Sequence, residues 1–350
     1  MLNKKILALC DTDKRYTDKL RDLLEERESF PFSVSVYSDF ENLKKDVKKG
    51  FINAVLLSEG FLEEDTAQSE EFFDDNRIML MILGSGSVIR GKAPVIRKFR
   101  SGEFIRKEIL GCFSDYKSCE EKDGKSAGPS PSMAGYRETK VICAYTPVGR
   151  CLQTTFSVLL GELMAKKHPV LYINAEPYSG LLGKGEFNQA NDITDLIYYM
   201  RNNPEKMLLK LESMVVSLSG LDCISPVKTI SDLHSINGDD WLSLLSTLRE
   251  SGLYEYVIID LSDGVIGLND ILRYGDIIYT VTRPDHMAET KMKIYEDSLK
   301  ASDYGDILSK TKKLSFPFYQ KLPSDPAELT GCEMKGAVLK IIEEDLGIEL

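Results

Sequence analysis

Along the first 115 residues, short apolar runs alternate with segments of helical period. Residues 5–10, 54–57, 77–83 and 93–97 are mostly Ile, Leu, Val, Ala and Met over a strand's length, and residues 33–37, SVSVY, alternate Ser with Val. Between and after them, residues 15–28, 40–49 and 102–113 repeat apolar side chains every three or four positions, the spacing of a helix with one buried face. Strands alternating with helices at this interval predict a parallel sheet covered by helices. Five strands in this length give the flavodoxin-like pattern, whose sites lie at the carboxyl ends of strands. The alternation resumes beyond residue 138, with strands expected near 140–145, 169–174, 255–260, 276–282 and 312–316. Helices are expected over 156–164, 191–201, 241–252, 289–301 and 335–350. Val257-Ile258-Ile259 and Ile277-Ile278-Tyr279 have no polar face, as expected of strands buried on both sides. The fold class predicted is α/β, with two doubly wound parallel-sheet domains.

Residues 117–135, KSCEEKDGKSAGPSPSMAG, interrupt the pattern. They lack the large apolar groups needed to offset the entropy of ordering, and so read as a linker. The domains expected are therefore 1–115 and 138–350, joined by a flexible linker over 116–137. The net charge of −11 is concentrated in residues 138–350, which carry 21 Lys and Arg against 31 Asp and Glu. Such an acidic surface argues against nucleic acid and against an anionic membrane face. No apolar run approaches the length of a membrane span. Seven cysteines without a CxxC pair fit a reduced, cytoplasmic protein. His168, His234 and His286 show no ligand spacing, so neither a metal cluster nor a Ser/His triad is expected.

Candidate chemistry begins at Val141–Phe156, VICAYTPVGRCLQTTF. An apolar strand, a turn with Pro147 and Gly149, and a helix opening at Thr154 and Thr155 outline an anion site made of free amides and a helix dipole. A working phosphate loop needs GxxxxGK[ST]. Here Leu152 stands at the second glycine and Gln153 at the lysine, while Thr154 is retained. The candidate nucleotide-binding residues are Gly149, Arg150, Cys151, Leu152, Gln153, Thr154 and Thr155. Arg150, or Lys184 in Gly183-Lys184-Gly185, could supply a substitute cation. A helix N-terminus can lower a thiol's pKa, which makes Cys151 either a reactive or a structural thiol.

Residues 145–155 resemble the deviant phosphate loop, KGGxGKTT, of the MinD/ParA ATPases, and are most similar to the branch reading YSPxGxxGKTT, the TadZ/CpaE-like pilus-assembly proteins. Val170–Glu176, Tyr254–Asp260 and Asp276–Pro284 are similar to further strands of that sheet. The resemblance implies ATP or ADP with magnesium as cofactor, Thr154 and Asp260 on the magnesium side, and Glu176 as a carboxylate on the catalytic side. It implies a cytoplasmic protein recruited to a membrane or cell pole, partners within a pilus or secretion apparatus, and homodimerisation. Val148 replaces the family's dimer-crossing lysine and Gln153 the phosphate lysine. A non-catalytic or weakly nucleotide-binding scaffold or localisation factor is therefore expected ahead of an active ATPase or a response-regulator-like signalling protein.

The order of elements in residues 1–115 resembles a response-regulator receiver. Asp11 and Asp13 follow the first strand, Ser85 the fourth and Lys98 the fifth, where receivers keep an acidic pair, a hydroxyl and a lysine. Ser58 stands at the phosphoacceptor position, and a serine cannot form an acyl phosphate. Glu59 is one residue late, which alternation turns to the other face. Asp11 and Asp13 could equally cap the following helix. An inactive receiver pocket is expected. Limited proteolysis should cut between about residues 117 and 135 and leave two resistant fragments; a single resistant core spanning that stretch would contradict the division.

Overall fold

The computed structural model describes residues 5–26, 30–61, 78–84, 93–100, 102–115, 139–182, 187, 191–317, 319, 322–323 and 325–348. The expected linker over 116–137 lies outside that set, as do Ser85 and Lys184. The chain divides into two compact units, Met1–Ala134 with Glu205–Ser213, and Gly135–Pro204 with Met214–Leu350.

The first unit runs β1 (Lys5–Cys10), α1 (Lys14–Glu25), β2 (Phe32–Tyr37), α2 (Phe40–Lys48), β3 (Ala54–Ser58), β4 (Met79–Gly84), β5 (Val95–Arg97) and α3 (Gly102–Asp115). Its five strands are all parallel, in the order β2-β1-β3-β4-β5. Alternation along β1 divides the core. Leu7 and Leu9 pack with Leu20 and Leu24 of α1 and Ile105 and Ile109 of α3, while Ala8 and Cys10 pack with Leu43 and Val47 of α2. The sequence pattern places all of 138–350 together, yet Glu205–Ser213 belongs to this first unit. Leu209 explains the difference, being buried in the cluster with Ile105 and Ile109.

The second unit runs β6 (Lys140–Ala144), α4 (Gln153–Met164), β7 (Val170–Ala175), α5 (Ile193–Asn202), β8 (Val216–Leu218), β9 (Leu221–Ile224), α6 (Ile230–His234), α7 (Gly238–Ser251), β10 (Tyr256–Leu261), α8 (Leu268–Tyr274), β11 (Ile277–Thr282), α9 (His286–Ala301), β12 (Thr311–Ser315) and α10 (Lys335–Ile341). The sheet order is β12-β11-β6-β10-β7-β9-β8, parallel except for the β8–β9 hairpin. That hairpin is not anticipated by the sequence, because strands of three and four residues carry too little alternation. Its turn is legible: Ser219 and Gly220 both take left-handed φ, 50° and 91°, as a two-residue hairpin loop requires. The predicted helix over 335–350 is instead α10, followed by one wider turn over Ile342–Leu346 that ends at Gly347 with φ 67°. Among the described residues no helix is long and apolar enough to cross a membrane.

Helix α4 is buried along nearly its whole length, from Phe156 to Met164, which places it in the interior of the unit. Glu162 is enclosed with it, at 0% exposure. Neither carboxylate oxygen finds a well-formed hydrogen bond among the described residues. Burial pushes its pKa up to about 7, against the opposing influence of Ser219 and Lys166. A raised acid destabilises the fold once ionised. Below its ordinary value of 4.5 both folded and unfolded chains are protonated and nothing is lost. Between there and about 7 the unfolded chain releases its proton first, so stability falls as pH rises. The loss is complete above that window and amounts to about 3 kcal/mol. Glu162→Gln should abolish this slope in urea denaturation at about pH 5 and about pH 8; equal slopes for variant and wild type would count against it.

A candidate nucleotide site sealed by its own side chains

The loop between β6 and α4 has left-handed backbone at three positions. Gly149, Arg150 and Leu152 take φ of 70°, 50° and 71°. Leu152 is the N-cap of α4 and caps it without a side-chain bond. Holding a leucine in the left-handed region costs about 1–2 kcal/mol, so the surroundings enforce the turn. Nothing lies within 4 Å of a Cβ built on Gly149, whose function here is therefore the dihedral and not close approach. The Thr146 hydroxyl accepts from the Val148 amide at 3.1 Å. Arg150 is exposed, and Thr155 lies half-buried in the first turn of the helix.

Cys151 is buried and donates from Sγ to the Val281 carbonyl at 3.1 Å. Burial raises its thiol pKa, outweighing the lowering contributions of Thr146 and the local amides. This is a structural thiol and not a reactive one, since the thiolate is disfavoured.

Gln153 reaches across to β10. Its Nε2 donates to Asp260 Oδ1 at 2.6 Å and to the Leu261 carbonyl at 2.9 Å. Asp260 is 1% exposed. Its second oxygen accepts from the Tyr172 hydroxyl at 2.9 Å and from Asn174 Nδ2 at 3.2 Å. Asn174 also donates to the Tyr172 oxygen at 3.0 Å, which leaves the tyrosine proton directed at Asp260. The register explains the meeting: Asp260 lies opposite Asn174, and Tyr172 shares the face of Asn174 two residues earlier. Burial pushes the Asp260 pKa up, opposed by hydrogen bonds from Gln153, Tyr172, Thr154 and Asn174. The Thr154 hydroxyl also lies 3.4 Å from Glu176 Oε2. The Glu176 pKa is raised by burial and then by the neighbouring Asp260 charge.

The structure thus brings Gln153, Thr154, Glu176 and Asp260 together. A carboxylate offers about four lone-pair positions, and protein donors occupy those of Asp260. Thr154 and Asp260, expected on the magnesium side, lie together here, with the Asp260 oxygens hydrogen-bonded to Gln153, Tyr172 and Asn174. The described residues also contain no cluster of three metal-ligating side chains. Tyr172 and Asn174 are missed by the sequence reading, although a Tyr and an Asn two apart within an otherwise apolar strand are the available signal. Lys291 is missed too; its Nζ lies 3.5 Å from the Val148 carbonyl.

The acidic strand end of the first unit is closed in the same manner. Asp11, 2% exposed, accepts from Lys98 Nζ at 2.6 Å and from the Asp13 amide at 2.9 Å. Asp13 is spent as the N-cap of α1, accepting from the Tyr16 amide. Ser58 lies buried at the end of β3 and also hydrogen-bonds Asp11, while Glu59 packs over Gly84. The Lys98 ammonium is further held over the Tyr16 and Phe99 rings, 4.9 and 5.4 Å from their centroids.

No family model matches the sequence, and no curated protein matches it. Among solved structures the chain is similar to a ParA family ATPase from Chlorobium tepidum, at 17% identity and TM-score 0.44 over 56% of this chain and 81% of that one. It is similar to a chain of the MinC:MinD cell division complex of Aquifex aeolicus, at 18% and 0.40 over 52% and 70%. It is also similar to McdA of Cyanothece in an ATP complex, at 18% and 0.39 over 57% and 80%. At these identities the likeness is one of fold.

Although burial alone would raise the Asp11 pKa, the Asp13 amide, Lys98 and the Ser58 hydroxyl bring it below its ordinary 3.8. A depressed acid stabilises the fold above its unfolded value, and that stability disappears as pH falls through the folded value. Lys98→Met leaves the buried carboxylate uncompensated. The variant should lose about 3 kcal/mol near neutral pH, and the deficit should shrink as the buffer is taken below 3.8. Urea titrations at both ends of that range measure it, and a constant deficit would mean that the ion pair is not its origin.

Proposed function

We propose that the protein is a non-catalytic scaffold or localisation factor in which a MinD/ParA-like unit follows a receiver-like unit across a linker at 116–137. The observation that carries this reading is the Gln153–Asp260 hydrogen bond. The carboxamide stands where phosphate transfer needs a lysine, and it occupies the carboxylate on which a metal would depend. Removing such preorganised positive charge from a reacting phosphoryl group forfeits several kcal/mol of transition-state stabilisation. Val148, in place of a lysine able to cross a dimer, points the same way. The machine served on this reading is a pilus or secretion apparatus, a role that rests on the resemblance of residues 145–155, with protein partners, homodimerisation and recruitment from the cytoplasm among its implications. Any nucleotide would be held without metal, by the amides of Leu152 to Thr155 and the dipole of α4, with Arg150 or Lys291 as nearby cations. In the receiver-like unit Ser58 stands at the phosphoacceptor position and cannot form an acyl phosphate, while Asp11 is paired with Lys98.

Steady-state phosphate release with magnesium and ATP tests the proposal. Wild type and Asp260→Ala are expected to show the same background rate. Turnover in wild type that disappears in Asp260→Ala would establish an ATPase and end the scaffold reading.

A further inference from the structure

The strand ends around the candidate site are joined to one another by side chains in a connected series. Cys151 Sγ ties the loop to β11 through the Val281 carbonyl at 3.1 Å. Gln153 ties the start of α4 to the end of β10 at Asp260 and Leu261. Asn174 and the Ser262 hydroxyl, which donates to the Ala175 carbonyl at 2.8 Å, tie β10 to β7. Beyond the end of β6, the Tyr145 hydroxyl donates to Asp263 Oδ1 at 2.7 Å, and its ring packs on Tyr295 of α9 with centroids 5.4 Å apart. Four neighbouring strands, β11-β6-β10-β7, are thereby clasped along their carboxyl edge by side chains of the unit itself.

In a nucleotide-switched unit these segments must be free to change partners when phosphate and metal arrive, since a ligand shifts a conformation only through differential contacts. Here the contacts a ligand would offer are already made. Asp260 has its donors, the Leu261 carbonyl has Gln153, and Asp263 has Tyr145. We infer that Gln153 is an internal surrogate for the bound cation, a positioning residue that fixes the loops at 146–152 and 261–267 in one shape whether or not nucleotide and metal are present. The unit then offers one constant surface and not one that alternates with nucleotide state. The inference rests on the non-catalytic reading, but the two fail separately: turnover of ATP would overturn that reading, while loops that respond to ligand without turnover would overturn only this one.

Hydrogen exchange followed by mass spectrometry on the full chain tests it, with and without magnesium and ATP at millimolar concentration. Wild-type exchange over 146–155 and 261–267 should be unchanged by the additions. Gln153→Ala should accelerate exchange in both segments by about tenfold or more, as loss of a buried hydrogen bond implies. Gln153→Lys, which restores a donor to Asp260, should retain wild-type protection. If Gln153→Ala does not fold, Tyr145→Phe removes a single clasp and should loosen 261–267 while sparing the core strands. Slower wild-type exchange on adding magnesium and ATP overturns the inference. So does wild-type protection in both Gln153→Ala and Tyr145→Phe.

Discussion

A carboxylate removed from water needs hydrogen-bond donors or an opposing charge, and the second unit is organised around meeting that need at Asp260. Its oxygens collect Gln153, Tyr172 and Asn174, drawn from a helix start and the adjoining strand. Each donor is thereby fixed in its turn. The amide of Gln153 also satisfies the Leu261 carbonyl, and Asn174 Oδ1 accepts from the Glu176 amide at 3.2 Å. Removing any one partner would leave another buried polar group exposed to the same desolvation penalty. The carboxyl edge thus carries a network of hydrogen bonds centred on one buried carboxylate.

The first unit meets the same constraint with a lysine. Asp11 is compensated by Lys98 and the Asp13 amide, so both units close an acidic strand end using groups from their own chain. The loop between β6 and α4 takes left-handed φ at Leu152 at a steric cost. The turn in the second unit is thus held by its surroundings, with Gln153 bonded to Asp260 just beyond it.

Much of the fold was legible because parallel strands buried on both faces are continuous apolar runs, as in β3, β7 and β10; the caps at Gly252 and Asp285 were not read, and the helix expected from 289 begins at His286. The β8–β9 hairpin was too short to show alternation. The wider turn after Ile341, with Val338 and Ile342 buried in the core, was not anticipated by the helical period. In the site, the loss of lysine at Gln153 could be read from spacing alone. What Gln153 does instead could not, because its partner lies 107 residues away and only the register of β10 against β7 brings Tyr172 and Asn174 beside both. Likewise Asp13 as a cap followed from residue type, whereas the Lys98–Asp11 bond required the sheet order.

Leu209 makes the chain's division in space differ from its division in sequence. The segment Glu205–Ser213 follows α5 of the second unit, yet its leucine completes the core of the first. A gene fragment ending at residue 115 would lack part of its own hydrophobic interior. One beginning at 138 would carry an apolar face made for a core it no longer contains. Expressed apart, the two halves would lose the contact that Leu209 makes in the intact chain. Dissection of this protein by truncation would confound loss of a domain with damage to the one retained, and point substitutions are the cleaner instrument.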